Sequence, residues 1–547
     1  MLSLWRGLCV IDRTVFRERR GVPSFVLGCL AVTIGGLLHV PMYWMGKDMG
    51  FVLADMPMDD GMIFGMVLIV AGIGVAAYGL LPTKLGRQLD TAATIAVVAP
   101  EDARLSPAHF TLMAALVMAL VIDVMKPASL GFIMPGMTAE YGVSKAEAAL
   151  VPFFALTGTV VGSVLWGVLS DVYGRKASIL LSAVVFVGTS ICGAMPSLAW
   201  NMFMCFLMGA GAGGMLPVTY ALLAETMPSR HRGWALVLVG GLGAVGGYFA
   251  ASALSALLVP DFSWRILWLA NLPTGIILIL MGGMIPESAK FLLARGRIDE
   301  ARKVMARFGT TSRKVSGVEA EEPFLHHGHH HTEGSHDPGP SLWTPEVVGK
   351  TIGLSVLAVA WGLINFGLLL WLPADLVSKG YSMGVSSRLL AESALIAFPT
   401  VFVCAFIYSR WSTKWSLVAT ILVTQLGLIG VLLLDVHGNG SPVLPVALLI
   451  IGSNGIIAIL LPYVSEIFPL KVRGRATGWV AACSKAGGLI AQGLSISALV
   501  PPLGIAAVAT AVPMLVALAL IAWFGIETRG LDLRRLERPL QRVPAGS

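Results

Sequence analysis

The stretch 177–224 contains no Asp, Glu, Lys or Arg. A membrane helix needs about 20 apolar residues, so this stretch alone holds two, divided at MPSLAWN. Runs of the same kind recur along the chain and predict fourteen spans, near 24–46, 61–82, 110–134, 148–170, 177–196, 200–224, 234–259, 265–285, 351–373, 389–409, 415–434, 442–465, 476–499 and 503–525. Only 13% of the 547 residues are charged, against about 25% in soluble domains. That excludes a soluble, disordered or collagen-like chain. The alternating pattern of a membrane barrel is absent, so the expected fold class is all-α, a polytopic membrane protein.

The first run is expected as a retained helix. It is too long for a signal peptide, and no small-residue cleavage site follows it. The net charge of +7 does not point to nucleic acid, because the positive residues sit in short segments between apolar runs. With the N-terminus inside, only Lys47, Lys145, Arg265, Lys379 and Arg388 of the 38 Lys and Arg fall on the outer side, and Lys126 and Lys485 fall within spans. The positive-inside rule then places both termini in the cytoplasm of a cell with the chain in its inner membrane. The six cysteines form no CxxC pair, which argues against a disulfide framework or a thiolate zinc site.

The chain also repeats itself. Residues 225–233 read ETMPSRHRG and 466–474 read EIFPLKVRG, with the same Glu-to-Pro and Glu-to-Arg spacing. ES at 287–288 and ETRG at 527–530 lie at nearly the same offset. Two landmarks at one offset imply two homologous six-helix halves related about an axis along the membrane normal. The expected organisation is an N-terminal extension with two spans and a Met-rich outer loop (1–107), a first six-helix half (108–285), a cytoplasmic loop (286–350), a second half (351–526) and a tail (527–547).

Three motifs carry a family resemblance: GVLSDVYGRK at 167–176, PESAKFLLARGR at 286–297 and LPYVSEIFPLKVRGRATGW at 461–479. Over about 108–535 the chain resembles the major facilitator superfamily, in its sugar-porter and organic-ion branches, with two additional spans in front. The resemblance implies a cytoplasmic gate of Gly167, Asp171, Gly174, Arg175, Glu225 and Arg232 in the first half and Arg410, Glu466 and Arg473 in the second. Gly167 and Gly174 are expected to permit close helix approach and a tight turn, and Asp171 to face the positive end of a neighbouring helix. Val172 stands where the family is usually basic, and the second copy of the signature, SRWSTKW at 409–415, is degenerate.

Ionisable groups inside a span are costly and usually functional. Asp123 and Lys126 lie one turn apart in the first core span, ahead of Pro127, which is expected to kink the helix. By resemblance Asp123 matches a carboxylate that couples protons, and its usual arginine partner is replaced here by Cys205. Lys485 matches a basic residue of organic-anion branches. Lys126 and Lys485, one from each half, are expected to clamp an anionic substrate, with Asn365 and Trp361 lining the pocket. The spans that bear sugar-binding amides in sugar porters lack them here, beyond Asn365.

The outer loop 39–66 is rich in Met, including Met42, Met45 and Met49, and the cytoplasmic loop holds His326, His327, His329, His330 and His331. Thioether and imidazole are transition-metal ligands, so metal-ion transport is the alternative to organic-solute transport; a non-transporting sensor on the same fold is a third. GxSxG, HExxH and a P-loop are absent, so no enzyme and no cofactor is expected. The sequence reading is a monomeric, proton-coupled secondary transporter of a small organic anion, working by alternating access, with substrate, protons and the lipid bilayer as its partners.

Overall fold

A computed structural model of the protein describes residues 21–81, 95–98, 104–314, 342–345, 347–437, 441–468, 470–497 and 503–529. Among them, twelve helices are long and apolar enough to cross a membrane. Two of the fourteen expected positions fall short of that standard. Ile266–Met281 is a shorter apolar helix. Leu470–Ile496 is long enough at 27 residues, but its Gly, Ala and Ser residues and Lys485 dilute its apolar character, as suits a helix facing an interior path.

The extension is a helical hairpin, α1 (Gly21–Leu37) and α2 (Asp60–Leu80). Asp59 caps α2, its Oδ1 accepting from the Met62 amide at 2.7 Å. A β-carbon on Gly28 would stand 2.5 Å from the Ala76 amide nitrogen, and one on Gly35 2.6 Å from the Gly65 carbonyl. The two backbones thus touch through a small-residue seam, the way helices associate where lipid removes any hydrophobic drive. The outward faces carry Leu27, Leu30, Phe64 and Val70, all exposed.

The first half comprises α3 (Pro107–Tyr141), α4 (Leu150–Tyr173), α5 (Arg175–Gly188), α6 (Leu198–Ala212), α7 (Met215–Thr226), α8 (Ser229–Phe262) and α9 (Asn271–Met281). The helix α3 continues through Pro127 and Pro135. Two short helices follow, α10 (Ala289–Ala294) and the amphipathic α11 (Ile298–Phe308). The second half comprises α12 (Val348–Leu363), α13 (Leu369–Ser378), α14 (Met383–Arg410), α15 (Thr413–His437), α16 (Val443–Ile467), α17 (Leu470–Ile496) and α18 (Leu503–Phe524). Between α12 and α13 the chain makes one π-helical turn, Ile364–Leu368. The sequence gives no sign of a two-stranded antiparallel ribbon that the structure contains: β1 (Ile95–Val98) pairs with β2 (Thr311–Lys314), Ile95 opposite Lys314. It ties the segment ahead of α3 to the segment after α11.

The hairpin packs against α5 and α9, where Ile69 approaches Gly188 and Leu272 approaches Gly36. Its loop is fastened to the end of the first half by a buried ionic knot. Glu140 Oε1 accepts from the amides of Leu53 (2.7 Å) and Ala54 (3.1 Å) and from Arg265 (2.6 Å), while Oε2 accepts from the Trp264 indole (2.8 Å). Arg265 also donates to the carbonyls of Gly193 and Met195 and to the Tyr141 hydroxyl. Both charges are shut away from solvent, which is tolerable only because nearly every donor and lone pair is used.

The halves meet along α8 and α14, where Ser255 and Ser387 share a hydrogen bond of 2.8 Å. On the hairpin-loop face they also touch where Gly131 of α3 lies under the Leu370 carbonyl, and where Leu156 of α4 and Gly488 of α17 meet.

Candidate functional site

On the opposite face the repeated motifs converge. Gly174 ends α4 with φ +104° and leads directly into α5. The Glu287 carboxylate occupies the space a side chain at Gly174 would need, 2.5 Å from such a β-carbon. Its Oε1 accepts from the amides of Arg175 (2.7 Å), Lys176 (3.3 Å) and Ser288 (2.9 Å), so it caps the positive end of α5. Burial pushes the Glu287 carboxyl above the usual glutamate range, against the pull of those amides and of Lys176. Arg175 reaches Glu225 at 3.4 Å and Ser170 at 3.3 Å, and Ser288 Oγ donates to Glu225.

The second half repeats the arrangement with different donors. Glu466 accepts from Thr528 Oγ1 at 2.7 Å and from the Tyr408 hydroxyl at 2.8 Å. Glu527 accepts from the Thr413 amide (3.0 Å) and hydroxyl (2.8 Å) at the start of α15, from Ser412, and from the Arg529 amide (2.9 Å). Burial alone would raise the Glu527 carboxyl; the hydrogen bonds from Ser412, Arg529 and Thr413 together hold it below the usual range. Glu225 with Ser288 and Glu466 with Thr528 are thus one contact made twice, and Glu287 and Glu527 are one cap made twice.

Gly167 departs from its expected role. A β-carbon there would meet nothing within 4 Å, although Trp166 beside it packs on Gly214 and bonds the Ala210 carbonyl, so the close helix approach does not run through Gly167. Arg232 lies half-buried in the first turn of α8, and Arg410 is exposed at the end of α14; Tyr408 holds the place beside Glu466. The side chains of Asp171 and Arg473, and the whole of His326–His331, lie outside the described residues. Sequence reasoning used Glu287 and Glu527 only as landmarks of the repeat, although their offset carried the signal that they serve equivalent contacts.

Between the two faces, Asp123 is 7% exposed and its Oδ1 has no hydrogen-bond partner among the described residues. It lies in electrostatic range of Lys126 on its own helix and of Lys485 on α17, across the junction of the halves. Lys126 is fully buried and turned into the first half, its Nζ 3.3 Å from the centroid of the Phe186 ring on α5. Lys485 instead stands at the junction, its Nζ 5.3 Å from the Phe366 ring centroid. Lys126 and Lys485 therefore face different surroundings, Lys126 the interior of one half and Lys485 the junction between them.

Phe366 belongs to the π-helical turn, a feature that clusters at functional sites. Gln492 of α17 donates to the Phe366 carbonyl and accepts from the Trp371 indole at 3.3 Å. Asn365 sits half-buried in the same turn. Trp361 spends its indole N–H on the Ser453 carbonyl at 2.8 Å and packs edge-on against Phe366. Cys205 is fully buried in α6. Tyr248 of α8, beside Phe132 of α3, buries a hydroxyl with no hydrogen-bond partner among the described residues; nothing in the local sequence marked it out. Met42 is buried while Met45 and Met49 are exposed, so the three do not share one environment.

Membrane-spanning helices in two repeated halves, with the duplicated motif contacts on one face and unpartnered buried polar atoms of Asp123 and Lys126 between the faces, are the architecture of a membrane transporter. The chain belongs to the Major Facilitator Superfamily, whose family model matches residues 110–492. It is 25% identical over 390 residues to the niacin transporter NiaP of Acinetobacter baylyi, covering 70% of this chain and 85% of that protein. It is 30% identical over 224 residues to the 4-hydroxybenzoate transporter PcaK of the same species, covering 40% of this chain and 48% of that one. The inward open conformation of the xylose transporter XylE from E. coli superposes with a TM-score of 0.58 at 16% identity, over 78% of this chain and 99% of that one. At that identity the likeness speaks for the fold.

Proposed function

We propose that the protein carries a small aromatic carboxylate across the cell's inner membrane by alternating access, with a proton moving on Asp123. The observation that carries this reading is the Asp123 carboxylate, buried, with an unpartnered oxygen, and within electrostatic range of a lysine from each half. A buried carboxylate is tolerable either neutralised by cations or protonated, and an arriving anion that engages Lys485 would withdraw one of those cations. Substrate and proton then favour each other's binding. The relatives named for niacin and 4-hydroxybenzoate support an aromatic acid as the solute. The latched face is read as cytoplasmic from the distribution of Lys and Arg, and the carrier as a monomer. Motif contacts made within each half on one face, together with the contacts between the halves on the other, fit a rocking carrier.

The energetics fix the test. One proton travelling with one monovalent anion moves no net charge, so the pH gradient alone drives it, at about 1.4 kcal/mol or tenfold accumulation per pH unit. Proteoliposomes loaded at pH 7 and diluted to pH 6 are expected to accumulate labelled nicotinate or 4-hydroxybenzoate, and Asp123→Asn is expected to abolish this. Accumulation that persists in Asp123→Asn would remove the proton role.

A further inference from the structure

The hairpin loop walls one side of a cavity of about 630 Å3 on the face opposite the latch. That volume is within the range of sites for small organic ligands, about 300–1,000 Å3. Its aromatic lining residues are Phe51 from the loop, Phe132 from α3, and Phe262 and Trp264 from the end of α8 and the turn beyond it; Phe262 is half-buried and the other three are buried. Two ionisable groups line it, Lys47 of the loop and Asp261 of α8, both exposed. Met383, at the start of α14, is the contribution of the second half.

The wall is built to hold its shape. Gly50 and Phe51 both have positive φ, +66° and +62°, and this turns the Phe51 ring onto Tyr43 (centroids 4.8 Å apart) and toward Phe262 (6.0 Å). The Tyr43 hydroxyl donates to the Phe262 carbonyl, and the Leu53 and Ala54 amides to Glu140. Ser263, also on the lining, has φ +63°. Among the described residues only Phe51, Asp55 and Ser263 are non-glycine residues with positive φ, and two of the three line this cavity. Such conformations persist where surrounding contacts over-determine them, and they cluster at ligand clamps.

We propose that this cavity is a second substrate site, in which the extension captures a hydroxylated aromatic carboxylate before it enters the path between the halves. Lys47 takes the carboxylate, the half-buried Phe262 meets the aromatic ring, and Asp261, an acceptor only, takes the hydroxyl. Asp261 gives the site its selectivity, since it disfavours an anion with no donor to offer it. The inference rests on the proposed aromatic-acid transport, and its test separates the two.

The test measures transport kinetics in proteoliposomes for 4-hydroxybenzoate and benzoate, with equilibrium dialysis of both acids against the purified full chain at low ionic strength. Lys47→Gln is expected to raise KM for 4-hydroxybenzoate about three- to tenfold, the scale of one near-surface charge interaction, with kcat unchanged; Lys47→Arg restores it. Asp261→Asn is expected to erase the preference for 4-hydroxybenzoate over benzoate. Dialysis is expected to show a second equivalent of 4-hydroxybenzoate, lost in Lys47→Gln and retained in Asp123→Asn. Unchanged KM in Lys47→Gln, or a single equivalent in the intact protein, overturns the capture site and leaves the transport reading standing. If neither acid is transported, the transport reading falls and dialysis decides the capture site alone.

Discussion

The carboxylate of Glu287 sits on the amino end of the helix that begins at Arg175, its Oε1 2.7 Å from the Arg175 amide. This cap fills the only direction in which Gly174 could have carried a side chain. Gly174→Ala is therefore expected to destabilise the protein by about 1–3 kcal/mol, through the left-handed backbone alone, and to displace Glu287 as well. Gly167→Ala meets open space in a helix and is expected to be neutral or slightly stabilising. Thermal unfolding of the two variants in detergent checks the contrast; equal losses would refute it.

The two caps are expected to respond to acid in order. The Glu287 carboxyl is raised, so its folded state favours the proton, and this contribution to stability fades as pH rises through the raised value. The Glu527 carboxyl is lowered, so its contribution is full above the unfolded glutamate value of about 4.3 and is lost as pH falls through the lowered one. Relative to wild type, Glu527→Gln should cost stability at neutral pH and cost little in strong acid, whereas Glu287→Gln should gain ground as pH rises. Unfolding midpoints measured across pH 3–8 give the slopes, and parallel slopes would contradict the assignment.

Breaking the knot at Arg265 leaves a buried charge alone. Arg265→Met or Glu140→Gln is expected to cost about 3–5 kcal/mol, and the double variant less than the sum of the two. A double-mutant cycle on unfolding free energies measures the coupling, and simple additivity would mean that the pair acts independently.

The two buried lysines should behave differently. Lys485 stands at the junction of the halves, so Lys485→Ala is expected to raise KM for an aromatic acid about tenfold or more. Lys126 faces Phe186 inside one half, so Lys126→Ala is expected to act on proton-driven accumulation, through the lost cation beside Asp123, more than on KM. Comparing KM with accumulation ratio in both variants separates the roles.

The spans and the twofold repeat were legible because lipid imposes a composition on every crossing segment and duplication leaves a fixed offset. The equivalence of the glutamates at 225 and 466 was legible for the same reason. Features made by distant residues meeting in space were not. Nothing local to Glu140 announces Arg265, 125 positions away. Nothing in IAVV at 95–98 or TSRK at 311–314 announces the ribbon they form either, since its partners are separated by the whole first half. Asp123 and Lys126 share a helix face on spacing alone, yet a flexible four-carbon stem let the ammonium turn toward Phe186. Gly167 reads as a packing residue by motif, and only the empty space beside it shows otherwise.

The hairpin is welded to the first half at Glu140 and along α5, while Met383 belongs to the other body. In a carrier whose halves swing, a chamber with three walls on one body and the last on the other works as a jaw. Its grip is then set by the stage of the cycle, and an accessory pair of helices far from the central path acquires a say in when cargo is held and when it is let go.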